Sequence, residues 1–125
     1  MSTPLERLLS GTATRLTNEN VERFLAAQGP AMVVFPGDPR TRAEAIDAAV
    51  IAQELTKSAP AAIAVGVVAG EASGLQQRFG VTVYPSLVFL RDGRKVSMVA
   101  KLQDWAVYAQ AMRLWLPKTS TEVQR

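Results

Sequence analysis

The segment from Phe79 to Arg94 constrains the fold of this chain more than any other. Gly80 suits the left-handed position that ends a helix, and Pro85 stands where the apolar run 86–90 begins. Proline has no amide hydrogen to donate to a sheet, so it is confined to strand starts, edges and bulges. An Asp-Gly pair at 92–93 is then a hairpin-turn signal. The segment therefore predicts a helix end, a loop, a buried strand and a tight turn in succession.

The composition excludes several kinds of chemistry. The chain has 125 residues, which favours one domain with its own core. It contains no cysteine and no histidine, so a disulfide, a thiolate nucleophile, an imidazole base and the usual zinc ligands are excluded. The net charge is +3 and the basic residues are scattered, which does not favour nucleic-acid binding. We expect no cofactor and no metal ion.

The apolar run 59–69 is the longest in the chain, and it contains Pro60 and Gly66. A run of this length does not span a bilayer, and the N-terminus has no signal-peptide pattern. We therefore expect a cytoplasmic protein that does not bind membranes.

Strands and helices are predicted to alternate before the central segment. In order they are a helical turn with Leu5, Leu8 and Leu9, an edge strand at 12–16, a helix capped by Thr17 or Asn18 and ending near Gln28, a strand at 31–35 buried on both faces, a long helix ending near Lys57, a strand at 61–69 and a short helix at 73–79. Two starts compete for the long helix, Asp38 with Pro39 after it and Thr41 with Glu44 in a capping box. Its predicted core face holds Ile46, Ala49, Val50 and Leu55.

An antiparallel strand at 95–101 and a last helix from Asp104 to Pro117 are predicted after the turn. The strand is expected to turn Val96, Met98 and Ala100 inward. The helix carries a predicted core line of Trp105, Tyr108, Ala109, Met112 and Leu116, with Trp115 also in the core. A second apolar line, Val107, Ala111 and Leu114, exceeds what one helix on one sheet needs, so it indicates a homodimer or partner surface or a partly exposed face. Residues 118–125 are predicted to be a disordered tail.

This order of elements predicts the α/β class, with residues 1–117 as one three-layer α/β/α sandwich around a mixed sheet. Together with 79–81, 84–89 and the turn at 92–93, the order resembles the thioredoxin fold. The resemblance implies that Pro85 is the cis-proline beside the active-site loop. The loop in the position of the thioredoxin redox motif, 35–40, has no cysteine, and the strand before it lacks the buried carboxylate of thioredoxins.

A narrower resemblance covers nearly the whole chain. It is similar to the HyaE/HoxO/HupG family at Gly37–Glu44, Asp47, Phe79–Val81, Tyr84–Pro85, Leu87–Phe89 and Trp105. That family consists of cysteine-free thioredoxin-like proteins encoded with bacterial uptake NiFe hydrogenases. The resemblance implies a non-enzymatic chaperone for the precursor of the hydrogenase small subunit, which carries a twin-arginine export signal. Alternatives are a peptide-binding or homo-oligomeric structural module with an unrelated partner, or a redox relative, which the absence of cysteine opposes.

Backbone groups beside the proline form the first candidate partner-binding site. A strand edge next to a cis-proline leaves amide and carbonyl groups open to an extended peptide. The residues in question are Thr82, Val83, Tyr84 and Pro85. The alternative is that Pro85 only shapes the fold.

Acidic residues near the start of the long helix form the second candidate group: Asp38, Glu44 and Asp47, with Pro39 in the same loop. Carboxylates bind guanidinium groups in a bidentate manner, so they could contact the paired arginines of an export signal. The alternative is that Asp38 and Glu44 cap the helix while Asp47 lies on a solvated face. A magnesium site is opposed by Arg40 and Arg42, which lie among the carboxylates.

Overall fold

A five-stranded mixed sheet with helices on both faces forms the fold. The computed structural model describes residues 13–38, 40–41, 43–59, 62–69 and 74–116. The elements are β1 (Thr14–Arg15), α1 (Val21–Ala26), β2 (Pro30–Gly37), α2 (Glu44–Ser58), β3 (Ala64–Ala69), α3 (Leu75–Phe79), β4 (Ser86–Arg91), β5 (Arg94–Ala100) and α4 (Trp105–Trp115). The strand order is β1-β3-β2-β4-β5, with β3 parallel to β1 and β2, and antiparallel pairs β2–β4 and β4–β5. This architecture confirms the predicted α/β class and mixed sheet.

The central strand β2 is buried on both faces, as predicted. It pairs with β3 on one side and β4 on the other, so its backbone groups are satisfied within the sheet. Its side chains alternate between the two layers, with Met32 and Val34 on one face and Val33 and Phe35 on the other. Burying a side chain of this kind stabilises the fold by about 1.5–3 kcal/mol.

Helices α2 and α4 cover one face of the sheet. Small side chains on α2, including Ala48 and Ala52, allow it to lie close to the sheet. On α4, Trp115 packs against Phe89 with ring centroids 4.7 Å apart. Its indole nitrogen donates a 2.7 Å hydrogen bond to the carbonyl oxygen of Leu90, which satisfies the polar end of a buried ring.

Helices α1 and α3 cover the opposite face. Phe79 of α3 meets Phe35 of β2 edge to face, with centroids 5.7 Å apart. Gly80 ends α3 in the left-handed region at φ 76°, as its position in the sequence predicts. The turn Asp92–Gly93 follows with φ 54° and 81°, the signs of a type I′ hairpin turn, and confirms the Asp-Gly signal.

The predicted caps of α2 are wrong. The helix begins at Glu44, the preceding residue Ala43 makes no side-chain cap, and neither Asp38 nor Thr41 caps it. The carboxylate of Asp38 instead accepts hydrogen bonds from Arg40, two residues later. Val50, predicted in the core, has 39% of its surface exposed, because the helix packs through its alanines rather than its larger side chains.

The alternation predicted for β5 is also wrong at Val96. Phe89 pairs with Ser97 and Leu90 with Lys95, so Val96 is an extra residue in a bulge and lies exposed. Val99, expected on the outer face, is buried because both faces of β5 are covered. Met98 packs against the α1–α3 cluster, and Val99 belongs to the α2–α4 cluster.

The first and last helices differ in detail from their predictions. Helix α1 begins at Val21, with Asn20 rather than Thr17 or Asn18 in the cap position, and it ends two residues before Gln28. In α4 the buried face holds Tyr108, Ala111 and Trp115. Trp105 is 49% exposed, because the buried stripe is rotated toward Ala111, a member of the second predicted line.

Several predictions fall outside the described residues: the turn at Leu5–Leu9, the helix end at Pro117 and the tail 118–125. Within the residues that the structure describes, no helix is both long and apolar enough to cross a membrane.

Candidate peptide-binding site

The sheet register brings the two predicted groups of residues to the same end of the sheet. Phe35 of β2 lies opposite Ser86 of β4, in an antiparallel pair. The chain therefore leaves β2 toward Asp38 at the end where the 82–85 loop enters β4. This is the carboxyl end of β2, the side of an open α/β sheet at which ligands usually bind.

The Tyr84–Pro85 peptide bond is cis, as the fold resemblance implies. Two carbonyl oxygens of the loop are used inside the protein. The buried hydroxyl of Ser86 donates to the carbonyl oxygen of Val83 at 2.8 Å, and the amide of Lys101 donates to that of Pro85 at 2.7 Å. The expectation that carbonyl groups of this edge are open is therefore wrong at these two positions.

Some backbone groups of the loop have no hydrogen bond within the described part of the chain. Among the described residues, no hydrogen bond engages the backbone of Thr82 or the amide of Val83. Thr82 is exposed, while Val83 is half-buried and Tyr84 packs against the α1–α3 side of the core. The loop is thus held by internal hydrogen bonds, while the amides of Thr82 and Val83 have no acceptor among the described residues.

Tyr108 of α4 supports this loop through the turn that precedes the helix. Its hydroxyl donates to the carbonyl oxygen of Lys101 at 3.3 Å and accepts from the amide of Gln103 at 3.2 Å. Lys101 has a left-handed φ of 62°, and its own amide binds Pro85. Burial raises the pKa of the Tyr108 phenol, an effect that the Gln103 hydrogen bond partly opposes. The sequence predicted Tyr108 only as a core residue, because its polar partners are set by the fold.

Asp38 already holds a guanidinium group. Its two carboxylate oxygens accept from Nε and Nη2 of Arg40, both at 3.2 Å, and one of them also accepts from the Arg40 amide at 2.9 Å. The hydrogen bond from the Arg40 side chain is the main cause that lowers the pKa of Asp38. The Arg40 side chain is 88% exposed, so the pair lies at the surface.

Glu44 and Asp47 lie in the first turn of α2, where carboxylates favour the positive end of the helix dipole. Both are exposed and neither forms a cap hydrogen bond with the helix start. Pro39 lies outside the described residues. Within the described part of the chain, no group of three or more acidic side chains is placed to hold a metal ion.

Sequence comparison identifies the family. The family described as "Hydrogenase-1 expression protein HyaE" matches residues 5–108. The chain belongs to the HyaE family. The hydrogenase expression/formation protein HupG of Bradyrhizobium diazoefficiens is 40% identical over 93 residues, covering 70% of this chain and 63% of that protein. HoxO of Azotobacter vinelandii is 31% identical over 110 residues, covering 88% and 74%, and HoxO of Cupriavidus necator is 34% identical over 113 residues, covering 87% and 70%.

The HyaE-family chain therefore spans between 63% and 74% of the length of these three relatives. Solved structures show its fold. Thioredoxin O2 from Arabidopsis thaliana in the oxidized state superimposes with a TM-score of 0.65 at 16% identity, covering 86% of this chain and 97% of that one. A designed protein gives a TM-score of 0.67 at 14% identity, covering 87% and 96%. The match to thioredoxin O2 confirms the thioredoxin fold.

The thioredoxin fold of this HyaE-family chain carries no thiol. Thiol–disulfide exchange requires an attacking thiolate, and the chain contains no cysteine. The features that remain at this end of the sheet are the amide edge beside Pro85 and the carboxylate of Asp38. Backbone amides of this kind can donate to an extended peptide, and a carboxylate can accept from a guanidinium group.

Proposed function

We propose that this chain is a non-catalytic, thioredoxin-like chaperone in the cytoplasm. Its partner is the precursor of an uptake NiFe hydrogenase small subunit, which carries a twin-arginine export signal, and binding occurs during maturation. A role in hydrogenase maturation is supported by membership of a family of hydrogenase expression and formation proteins. The cysteine-free thioredoxin fold supports a binding role rather than a redox role.

The amide edge beside cis-Pro85 is the observation that carries this proposal. The Ser86 and Lys101 hydrogen bonds fix the loop, while Thr82 and Val83 keep amide donors for a partner. An extended segment can add to such an edge through its carbonyl oxygens, since main-chain hydrogen bonds supply affinity without reading sequence. Preorganisation by the internal hydrogen bonds lowers the entropy lost on binding.

The acidic side of the site supplies selectivity for arginine in this proposal. Asp38 already binds one guanidinium group, that of Arg40, with bidentate geometry. A signal arginine would take the place of Arg40, with Glu44 and Asp47 at the start of α2 adding negative charge nearby. Exchange of one exposed arginine for another costs little, because Arg40 returns to water.

Substitutions at this pair test the site. Arg40→Ala removes the guanidinium group that competes for the Asp38 carboxylate, so it should strengthen capture of the precursor. Asp38→Asn should weaken capture by about tenfold, the worth of a charge-assisted hydrogen bond of ~1.5 kcal/mol. Binding of purified precursor is measured by biolayer interferometry. Glu54→Gln is the matched control, since Glu54 is an exposed carboxylate near the far end of α2 and pairs with Lys57 three residues later.

A different pattern would remove Asp38 from the binding site. If Asp38 only shapes the loop through Arg40, both substitutions weaken capture to the same degree. If neither changes capture, the acidic loop has no part in binding. Circular dichroism of each variant confirms that the fold is intact.

A further inference from the structure

A cavity of about 390 Å³ lies at the opposite end of the sheet from the peptide-binding edge. Its walls come from α1, the end of α3 and the β4–β5 hairpin. Leu25, Phe79 and Leu90 supply apolar lining, and Arg78 and Lys95 supply positive charge. The hairpin turn is at the end of β4 that is remote from Pro85, so the cavity is separate from the site described above.

The charge of the cavity lining is one-sided. No carboxylate is among the described residues that line it. The Lys95 ammonium donates to the carbonyl oxygen of Phe79 at 3.0 Å, and an ammonium group has three donors. Arg78 pairs with the exposed Glu22 of α1, and a guanidinium group has five donors. Both cations therefore retain donors for a further acceptor.

Glycines shape the space around Lys95. A Cβ atom on Gly80 would lie 3.0 Å from the Lys95 ammonium nitrogen, so the absence of a side chain there leaves room for the charged group. On the hairpin, a Cβ atom on Gly93 would lie 2.3 Å from the carbonyl oxygen of Leu25. The backbone of the hairpin at Gly93 thus lies directly against the backbone of α1 at Leu25, on one side of the cavity.

We propose that this cavity binds a carboxylate next to an apolar side chain in a segment of a partner protein. The apolar group lies against Leu25, Phe79 and Leu90, and the carboxylate accepts from Lys95 and Arg78. A cavity of this size is at the lower end of the range for small-ligand sites, which fits one large side chain and a charged neighbour. The site is independent of the hydrogenase precursor and of the cis-Pro85 edge.

Two short peptides that differ only in charge test the proposal. The probes are N-acetyl-Leu-Phe-Asp-amide and its asparagine analogue, titrated into the ¹⁵N-labelled chain and followed by NMR. We expect the aspartate peptide to bind about fivefold more tightly, the upper worth of a solvent-accessible ion pair. Shifts should centre on the amides of Gly80, Gly93 and Lys95.

Variants separate this role from the cap that Lys95 provides to α3. Lys95→Gln should reduce the preference for the aspartate peptide, since only Arg78 then pairs with the carboxylate, and should leave affinity for the asparagine peptide unchanged. Arg94→Gln is the control, because Arg94 is an exposed neighbour that does not line the cavity. If Lys95 only stabilises the helix end, Lys95→Gln lowers the melting temperature and weakens both peptides equally.

Any of four outcomes would overturn the proposal: equal affinity for the two peptides, equal loss in Lys95→Gln and Arg94→Gln, no binding at millimolar concentration, or shifts confined to the 82–85 loop. None of these outcomes bears on capture of the hydrogenase precursor, so the two proposals fail separately.

Discussion

Tyr108 joins the last helix to the candidate site through the backbone of a single residue. Its hydroxyl binds the carbonyl group of Lys101, whose amide binds the carbonyl group of Pro85. Buried hydrogen-bonded groups of this kind hold a loop in one conformation, because each unpaired group would cost free energy.

Tyr108→Phe keeps the ring and removes the hydroxyl. We expect the free energy of unfolding to fall by about 1–2 kcal/mol, since the Lys101 carbonyl and Gln103 amide lose a partner. Urea denaturation measures the change. Amide exchange in the 82–85 loop should also become faster, and unchanged exchange there would contradict the positioning role.

The same variant carries a pH prediction. Burial raises the pKa of Tyr108 in the folded chain above the ordinary value of about 10 in the unfolded chain. The stabilisation is therefore fully present below the unfolded pKa and is lost as pH rises through the folded pKa. As the pH rises above about 10, the ordinary pKa of the phenol, the wild-type chain should lose more stability than Tyr108→Phe. Parallel pH profiles would show that the phenol does not contribute.

Single residues were predictable where one local rule decides and unpredictable where two compete. Gly80, Pro85 and the Asp-Gly turn each satisfy one backbone requirement, and all three were predicted correctly. Asp38 could cap the start of α2 or pair with Arg40, and the sequence alone does not show which of these two interactions is more stable. Tyr108 shows the third case, in which the partners are created by the fold.

The hairpin and α1 form one unit at the element scale, and two glycines with positive φ provide a matched test. Gly93 (φ 81°) would place a Cβ atom 2.3 Å from the Leu25 carbonyl oxygen, whereas Gly29 (φ 93°) would meet nothing within 4 Å. Both alanine variants bear the cost of left-handed backbone, but only Gly93→Ala forces the hairpin away from α1.

We therefore expect Gly93→Ala to reduce the free energy of unfolding by about 1–3 kcal/mol more than Gly29→Ala, the usual cost of overpacking. Guanidinium denaturation of the two variants measures the difference. An equal loss of unfolding free energy in the two variants would mean that only backbone strain acts at both positions. The contact between Gly93 and Leu25 would then be loose enough to accept a methyl group.

The homodimer predicted through α4 remains a prediction, and it concerns this element alone. Leu114 is 62% exposed and Val107, on the same side of the helix, is also exposed. If this face joins two copies, Leu114→Lys should shift the sedimentation coefficient to that of a monomer. Val50→Lys, a similar change on α2, should leave it unchanged. A wild-type chain that is monomeric at all concentrations would contradict the dimer.

Elements were easier to predict than their edges and faces. The order of strands and helices follows from apolar runs and turn residues, and β2 to β5 and α1 to α4 all form near their predicted places. The exposure of Val96 in β5 could not be predicted, because the bulge that contains it depends on the pairing of β5 with β4. The packed face of α2 was missed because small alanines, rather than large side chains, allow close contact with the sheet.

At the scale of the whole molecule, the chain is a HyaE-family protein with a thioredoxin fold, a cis peptide bond before Pro85 and no cysteine. The two candidate groups of residues, far apart in sequence, meet at one end of the sheet through the β2–β4 pairing. That meeting was predictable only through the fold resemblance. The absence of thiols is evident from the composition, and it excludes thiol–disulfide exchange as the function of the site.

The most direct test of the account is capture of the hydrogenase small-subunit precursor by the purified chain, with and without the twin-arginine signal. We expect capture of the full precursor and at least tenfold weaker capture once the signal is removed, since the proposed site binds an extended, arginine-bearing segment. Equal capture of both forms would move binding to the folded body of the precursor. No capture of either form would contradict the chaperone role itself.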